Sequence, residues 1–182
     1  MEQRFMKVKG GPTKEEILAI TLYKLDLRDG DTFLDVGCGT GAVSIAAAKV
    51  AGKIFAIDRR KEAIEASKFN FHLAGVSHKI ELIHGETPQA LEKVEEIDSV
   101  FIGGSENLEE TLTVLESKVR RRIIVNAARL ETAITAIKKM RELGNFKEVV
   151  HVQVSKGYDL QGGMAFKPEN PVFIIVGGKE GD

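Results

Sequence analysis

A glycine-rich loop early in this chain follows one short apolar stretch, and a second apolar stretch after it ends in an acid. The first stretch and its loop occupy residues 33–41, and the second stretch runs over residues 53–58. Gly37, Gly39 and Gly41 lack a Cβ, so the backbone can turn sharply and bring its N–H groups against a bound ligand. This order of strand, loop, helix and strand predicts an α/β fold with a nucleotide-type binding site.

The acid at the end of the second strand indicates which part of a ligand lies there. Asp58 follows Gly41 by 17 residues, and a carboxylate at that place can accept hydrogen bonds from both hydroxyls of a ribose. Dinucleotide folds usually carry G-x-G-x-x-G, whereas this loop is G-x-G-x-G and stands behind Asp35. An acid would repel a pyrophosphate but attract the cationic groups of S-adenosylmethionine. The pattern therefore favours S-adenosylmethionine, with a nicotinamide or flavin dinucleotide as the alternative.

Length and charge limit the classes of protein. The chain has 182 residues, of which 43% are hydrophobic, enough for one domain over residues 1–182 and too few for two full α/β domains. Its formal net charge of −1 provides no basic field for long RNA or DNA, so a nucleic-acid partner is disfavoured. No apolar stretch has the roughly 18 residues that a membrane span needs, and no signal core follows the N-terminus. We expect a cytoplasmic protein with no membrane partner.

Cysteine and histidine content predicts neither a disulfide nor a metal centre. The single cysteine, Cys38, lies inside the glycine loop, where a small side chain is sufficient, and it permits no intramolecular disulfide. The four histidines show no metal-ligand spacing.

Helical and strand patterns alternate along the rest of the chain. Thr13 and Glu16 have the spacing of a capping box, with Leu18, Leu22 and Leu25 on one face of the helix behind them. Strands are predicted near residues 32–36, 53–57, 79–84, 97–102 and 121–126, and helical patterns follow near 42–50, 60–74, 87–93, 106–117 and 130–142. Two further strands near 146–154 and 171–177 flank a loop of about 16 residues, which has no helix long enough for a parallel crossover, and are expected to pair antiparallel. The predicted fold is a seven-stranded, mainly parallel sheet with a C-terminal antiparallel hairpin and helices on both faces.

Polar and glycine residues collect at the carboxyl ends of the predicted parallel strands, where open sheets bind their ligands. Glu86 and Thr87 follow the third strand. The residues that stand out after the fourth and fifth strands are Gly103, Gly104, Ser105, Asn126 and Arg129. Any one strand end can carry turn residues for structural reasons alone, but here five successive loops share the feature. We therefore expect one site that all five loops build.

Several segments occur in an order that narrows the family. They are Gly11-Pro12-Thr13-Lys14-Glu15-Glu16, Asp35-Val36-Gly37-Cys38-Gly39-Thr40-Gly41, Ala56-Ile57-Asp58-Arg59, Phe101-Ile102-Gly103-Gly104-Ser105, Leu130-Glu131-Thr132 and Asn170-Pro171-Val172. The glycine loop resembles motif I of the class I methyltransferases, and Asp58 matches their ribose-binding acid. The whole set resembles the decarboxylating precorrin C15-methyltransferases of cobalamin biosynthesis, and the resemblance covers nearly the whole chain.

This resemblance implies a two-part reaction on a ring-contracted tetrapyrrole, namely methylation at C15 and loss of CO2 from the acetate chain at C12. It also implies a homotetramer. The residues expected to contact S-adenosylmethionine are Thr13, Asp35, Gly37, Cys38, Gly39, Thr40, Gly41, Asp58, Glu86 and Thr87. Many family members have Gly-Asp-Ala where this chain has Gly85-Glu86-Thr87, so the chain departs from the family at the expected adenine contacts.

A corrin precursor carries several carboxylates and therefore needs positive charge close to the site. The residues expected to contact it are Gly103, Gly104, Ser105, Asn126, Arg129, Lys156 and Lys167. Arg129 follows the fifth strand and could hold a carboxylate with two hydrogen bonds. Arg120 and Arg121 precede that strand, at the opposite end of the sheet, and are expected to be solvated.

The expected reaction does not require a nucleophilic side chain. Methyl transfer from a sulfonium depends mainly on alignment, and the conjugated imines of a corrin precursor can accept the electrons of decarboxylation. The candidates for a proton-transfer group are Glu106, Glu131 and Tyr158, and a surface or packing role is the favoured interpretation of each. Methyl transfer to tRNA or protein, and a dinucleotide-dependent oxidoreductase, stay as alternative functions.

Overall fold

Seven strands form one sheet in the computed structural model of this chain, which describes residues 4–8, 11, 13–104 and 106–179. The strands of that sheet are β1 (Thr32–Val36), β2 (Lys53–Asp58), β3 (Ile80–His84), β4 (Ile97–Ile102), β5 (Val119–Ala127), β6 (Phe146–Val152) and β9 (Val172–Gly178). Their spatial order is β3-β2-β1-β4-β5-β9-β6. The first five strands pair in parallel, and β9 runs antiparallel to both β5 and β6. The predicted fold class is confirmed.

Among the described residues, five α-helices connect these strands or precede them. They are α1 (Glu15–Leu25), α2 (Ala42–Ala47), α3 (Lys61–Leu73), α4 (Leu108–Lys118) and α5 (Leu130–Glu142). The helix predicted near 87–93 is a short 3-10 helix, Gln89–Lys93, and a second one spans Ser77–Lys79. Each predicted strand matches an observed strand to within a few residues.

The start of α1 differs from the prediction. Lys14, with extended backbone angles, stands at the N-cap, and no side chain caps the helix. The predicted capping box is therefore wrong, since Thr13 lies one residue too early to cap α1. Glu15 and Glu16 still favour this end of the helix through the helix dipole. The buried face of α1 is Ile17, Thr21 and Leu25, whereas Leu18 and Leu22 are partly buried.

The core lies on both faces of the sheet because successive strand residues point to opposite sides. In β1, Phe33 packs in a cluster with buried residues of α1 and α2, and Leu34 packs in a cluster with those of α4 and α5. Phe71 of α3 packs on Ala56 of β2. Helices thus cover both faces, as predicted, and the near-continuous burial of β1, β2 and β4 is typical of parallel strands.

The segment between β6 and β9 is more regular than predicted. It contains a two-stranded antiparallel ribbon of β7 (Ser155–Leu160) and β8 (Gly163–Pro168), where the sequence predicted only a loop. Gln161 and Gly162 join the strands with φ values of 49° and 82°. Two successive positive φ values suit the twist of a two-residue hairpin turn. A Gln-Gly pair is a weaker hairpin signal than Asn-Gly, so the sequence pattern did not predict the ribbon.

Within the described ranges, none of the helices combines the length and apolar character that crossing a membrane requires. The same residues include no group of three His, Cys, Asp or Glu side chains that could hold a metal ion.

Arg121 is the clearest exception to the expected surface charges. Arg120 is exposed beside Glu96, as expected, but Arg121 is buried and forms an ion pair with Asp31, just before β1. Asp31 also accepts a hydrogen bond of 2.7 Å from the backbone N–H of Arg28. The prediction that Arg121 is solvated is wrong, because a buried acid 90 residues earlier in the chain holds its guanidinium inside the protein.

We expect Asp31→Asn to lower the free energy of unfolding by about 3 kcal/mol, because it leaves the buried Arg121 guanidinium without a counter-charge. Urea denaturation measures the change. Arg120→Gln is the matched control: it removes one member of an exposed ion pair and should leave the midpoint nearly unchanged. Equal losses in the two variants would contradict a structural role for the buried pair.

Candidate active site

Two adjoining cavities open at the carboxyl ends of the parallel strands. They lie where the chain reverses direction across the sheet, between β1 and β4, which is the usual ligand position in open α/β sheets. The Asp58 cavity, of about 370 Å³, is lined by Asp58, Arg59, Glu86, Thr87 and Glu106 among others. The Asn126 cavity, of about 390 Å³, is lined by Thr13, Cys38, Thr40, Asn126 and Asn170 among others. Both cavities share Gly37, Arg60 and Gly103.

The glycine loop after β1 forms the wall between the cavities. A Cβ on Gly37 would lie 2.6 Å from the carbonyl oxygen of Gly104, so the loops after β1 and β4 touch backbone to backbone. A Cβ on Gly41 would overlap the ring of Phe71, so α3 packs directly on the loop. Both glycines also have positive φ values, 74° and 81°. Any side chain at these two positions would push the loop out of place.

Asp58 presents an ionised carboxylate to its cavity. One oxygen accepts a bond of 2.9 Å from the Gly39 N–H, and the other accepts one of 2.9 Å from the Arg60 N–H. The Arg60 guanidinium adds bonds of 3.2 Å from Nε and 3.3 Å from Nη2. Burial alone would raise the pKa of Asp58, but the bonds from Arg60 and Gly39 outweigh it and lower the pKa. The carboxylate is therefore a fixed anion where the sequence predicted a ribose.

Asp35, a residue of β1, is buried more deeply than Asp58. It is completely buried, and its Oδ2 accepts hydrogen bonds of 3.1 Å from the Ser44 N–H and 2.6 Å from the Ser44 hydroxyl. Since the N-cap of α2 is Gly41, which has no side chain, Asp35 supplies the capping oxygen from a distance. Burial raises the pKa of Asp35 to about 7 against the opposing bonds from Ser44. Its geometry supports the loop, and its predicted contact with a cofactor stays a prediction.

The small residues of the loop line the Asn126 cavity. Cys38 and Thr40 are both buried there, with Thr13 beside them. Burial, with the charges of Asp35 and Asp58, raises the pKa of Cys38, so its side chain stays a neutral thiol. The loop therefore contributes shape and backbone polarity to this cavity rather than a reactive sulfur.

The beginning of α4 positions the loop after β3. The Thr87 hydroxyl lies 3.0 Å from that of Thr111, and the Thr87 carbonyl accepts a bond of 3.2 Å from Asn107. Thr87 is buried, and Glu86 beside it is half-buried. Both line the Asp58 cavity, next to the carboxylate with which the sequence grouped them.

Asn126 is the most defined polar group of its cavity. Its side-chain nitrogen donates a bond of 2.9 Å to the buried Thr21 hydroxyl, so α1 fixes the amide plane. Its Oδ1 is buried and lacks a hydrogen-bond partner in the part of the chain that the structure describes. A third, smaller cavity of about 220 Å³ connects Asn126 with Gly103, Gly104 and Arg129. Ser105, predicted with this group, lies outside the described residues.

The structure separates the other predicted residues from these cavities. Lys156 is on the exposed ribbon and pairs with Glu16 of α1. Lys167 and Tyr158 are also exposed on the ribbon. Lys156, Lys167 and Tyr158 are absent from the described linings of the Asp58 and Asn126 cavities.

The two glutamates proposed for proton transfer have different surroundings. Glu106 lines the Asp58 cavity, where it forms an ion pair with Arg59. Glu131 is exposed at the beginning of α5 and lies 3.6 Å from the guanidinium of Arg129. Their positions leave Glu106 as the candidate nearest the site.

Arg60 is a cavity residue that the sequence analysis missed. It contacts Asp58, lines both cavities and is about one-third exposed. A signal was present, since a guanidinium two residues after a predicted ribose acid can reach that acid. Asn170 was quoted only as part of a family motif, and the structure brings it to the Asn126 cavity from just before β9.

Comparison with known families and with individual proteins leads to the same family. A family model described as the precorrin methyltransferase domain matches residues 5–178. A relative from Methanosarcina acetivorans, named probable cobalt-precorrin-6B C(15)-methyltransferase (decarboxylating), is 47% identical over 180 residues, covering 96% of this chain and 97% of the relative.

Two solved structures share the fold over nearly their whole length. Precorrin 8W decarboxylase from Methanobacterium thermoautotrophicum has a TM-score of 0.92 and 33% identity, covering 96% of this chain and 97% of that one. Precorrin-6y C5,15-methyltransferase from Geobacter metallireducens has a TM-score of 0.90 and 32% identity, covering 96% of this chain and 95% of that one.

Asp35 predicts a pH dependence of stability. Its pKa of about 7 in the folded protein lies above the value of about 3.9 in an unfolded chain, so folding favours its protonated form. The stabilising effect is complete below about pH 4 and is lost as the pH rises through about 7.

We expect the wild-type protein to lose up to about 4 kcal/mol of unfolding free energy relative to Asp35→Asn between about pH 4 and pH 8. The asparagine is the matched variant because it has the same shape, can accept the Ser44 N–H bond and does not titrate. Urea denaturation at several pH values measures the difference. A difference that does not change with pH would contradict the raised pKa.

Proposed function

Because this chain belongs to the precorrin methyltransferase family, we propose that it methylates C15 of a corrin precursor, cobalt-precorrin-6B or precorrin-6B, with S-adenosylmethionine as methyl donor. The same enzyme removes the carboxyl group of the C12 acetate chain as CO2, a step in the biosynthesis of cobalamin. The observation that carries the proposal is the pair of adjoining cavities, with the ionised Asp58 in one and a cavity for a second ligand beside it.

The residues of the Asp58 cavity fit the adenosine part of S-adenosylmethionine. Asp58 would accept the two ribose hydroxyls, and Glu86 and Thr87 would lie beside the adenine. The backbone after β1 would hold the rest of the cofactor, which would extend from the Asp58 cavity toward the Asn126 cavity. Thr13 and Thr40 line the Asn126 cavity. Gly37 lets the backbone after β1 lie against the loop after β4, because a Cβ there would overlap Gly104.

The cofactor, when bound, supplies a methyl group that is already activated by a positively charged sulfur. The chain's own task is to hold the acceptor carbon in line with that group, and orientation of this kind can contribute about 7–11 kcal/mol. Asn126 is suited to the task because Thr21 fixes its amide and its Oδ1 faces no partner among the described residues. Arg129, at the adjoining smaller cavity, would bind a carboxylate of the substrate.

Decarboxylation requires a place for the electron pair of the breaking C–C bond, and the conjugated ring of the substrate provides one. The protein then needs to protonate the ring or the new methyl carbon. Glu106 is the candidate that lines a cavity, and Arg59 pairs with its carboxylate there. We assign the proton transfer to no residue.

Three broader features complete the proposal. Residues 1–182 form a single methyltransferase domain, the protein is cytoplasmic, and it assembles as a homotetramer. Support for an assembly comes from one face of the ribbon, where Met164 and Phe166 lie two residues apart and are 65% and 68% exposed. Large apolar side chains exposed next to one another are typical of surfaces that bind a partner or a large ligand.

We expect purified protein incubated with S-adenosylmethionine and the corrin precursor to yield a product that has gained one methyl group and lost one CO2. Mass spectrometry of the product measures both changes, and metal-free and cobalt-containing precursors are tested separately. Transfer of the methyl group to tRNA or protein, with neither precursor modified, would contradict the proposed substrate.

We expect Asp58→Ala to weaken the binding of S-adenosylhomocysteine by about tenfold to a hundredfold, because two hydrogen bonds to an ionised carboxylate are lost. Isothermal titration calorimetry measures the affinity, and thermal unfolding verifies that the variant is folded. Glu65→Gln removes one acid from the exposed side of α3 and serves as the control. If Asp58→Ala binds as tightly as that control, Asp58 does not hold the ribose.

A further inference from the structure

We propose that Arg60 exchanges partners during the reaction cycle: the cofactor's ribose displaces its guanidinium from Asp58, and the released guanidinium binds a carboxylate of the substrate in the Asn126 cavity. The inference rests on the proposed function, since it assumes an adenosyl cofactor and an acidic substrate. It adds a substrate-binding residue and an order of binding to that function.

The first observation is that the hydrogen-bonding capacity of Asp58 is full. A carboxylate has about four acceptor positions, and four N–H donors lie at them: Gly39 N, Arg60 N, Arg60 Nε and Arg60 Nη2. The two backbone donors are fixed by the fold, whereas the two guanidinium donors belong to a rotatable side chain. A ribose can therefore reach the carboxylate only by replacing the guanidinium.

The Arg60 guanidinium and a ribose would contact the Asp58 carboxylate in the same paired geometry. Nε and Nη2 of Arg60 each bond one of the two carboxylate oxygens, at 3.2 and 3.3 Å. Neighbouring hydroxyls of a ribose would bond the same two oxygens in the same paired way. Both bonds from Arg60 are longer than the usual charge-assisted distance of about 2.7–2.9 Å.

The second observation is where the guanidinium lies. Arg60 lines both cavities. Among the described lining residues, Asp58 belongs to the Asp58 cavity and not to the Asn126 cavity. Nη2 is 3.8 Å from the position of a Cβ on Gly39, so the guanidinium lies against the loop that separates the cavities. Rotation of the side chain, which is about one-third exposed, would move the charge from the Asp58 cavity toward the Asn126 cavity.

The third observation is the charge of the Asn126 cavity. Among its described lining residues, Lys14 and Arg60 are the charged ones, and both are basic. Lys14 is held 3.0 Å from Glu169, so its charge is already balanced. Once a ribose has taken over Asp58, Arg60 would be a cation without that acid, beside the space for a polycarboxylate. Cofactor binding would therefore raise the affinity for the acidic substrate, and by linkage the substrate would raise the affinity for the cofactor by the same factor.

The test compares Arg60→Gln with the wild-type protein in two measurements. Titration calorimetry with S-adenosylhomocysteine should show binding about threefold to tenfold tighter in the variant, because the competitor for Asp58 is gone. Steady-state kinetics with the corrin precursor should show KM raised about tenfold or more with kcat nearly unchanged, because a substrate contact is lost. Arg60→Lys keeps the charge but not the paired donors, and should recover part of the KM change.

Lys61→Gln is the matched control, since it removes the neighbouring positive charge from an exposed position and should move neither quantity. Weaker binding of S-adenosylhomocysteine by Arg60→Gln would overturn the exchange, because Arg60 would then support the cofactor. An unchanged KM would overturn the substrate contact. If the wild-type protein methylates neither precursor, the proposed function fails together with the substrate contact, while the calorimetry still decides the exchange at Asp58.

Discussion

The loops after β1 and β4 meet backbone to backbone, and the geometry of the site depends on that contact. Gly37 and Gly104 approach so closely that a single Cβ would overlap a carbonyl oxygen. The contact is possible because β1 and β4 are neighbours in the sheet, and their register sets Val36 beside Ile102, which brings the two strand ends together. It divides the space above the sheet into two cavities that share one wall.

Two residues, Asp58 and Arg60, determine most of the charge at the boundary between the two cavities. Asp58 is an acid with four donors, and Arg60 supplies three of them, two from its side chain and one from its backbone. Because one residue both stabilises the anion and lines the neighbouring cavity, any ligand that competes for Asp58 also changes the charge of that cavity. The coupling needs no motion of the sheet or helices, only a change of rotamer.

Much of this fold and part of its site could be predicted from the sequence because their signals are local. Strand and helix patterns, the glycine loop and Asp58 lie within short windows, and the strand ends converge because parallel strands share one edge. The misses depend on distant contacts. Arg121 is buried because Asp31 lies beside it, a pairing across 90 residues that no window contains. Lys156 lies on a ribbon with weak turn signals, where it pairs with Glu16 outside the described linings of the two cavities, and its contact with a substrate stays a prediction.

Three buried aspartates show how the number of donors decides what an acid does. Asp31 has a guanidinium and a backbone N–H, and it joins β5 to the segment before β1. Asp35 has only Ser44 as a donor among the described residues, so burial prevails and its pKa rises to about 7. Asp58 has four donors and keeps its charge. Of the three, Asp58 is the one that presents its charge to a described cavity, and a ligand can compete for it because two of its donors belong to a side chain and not to the backbone.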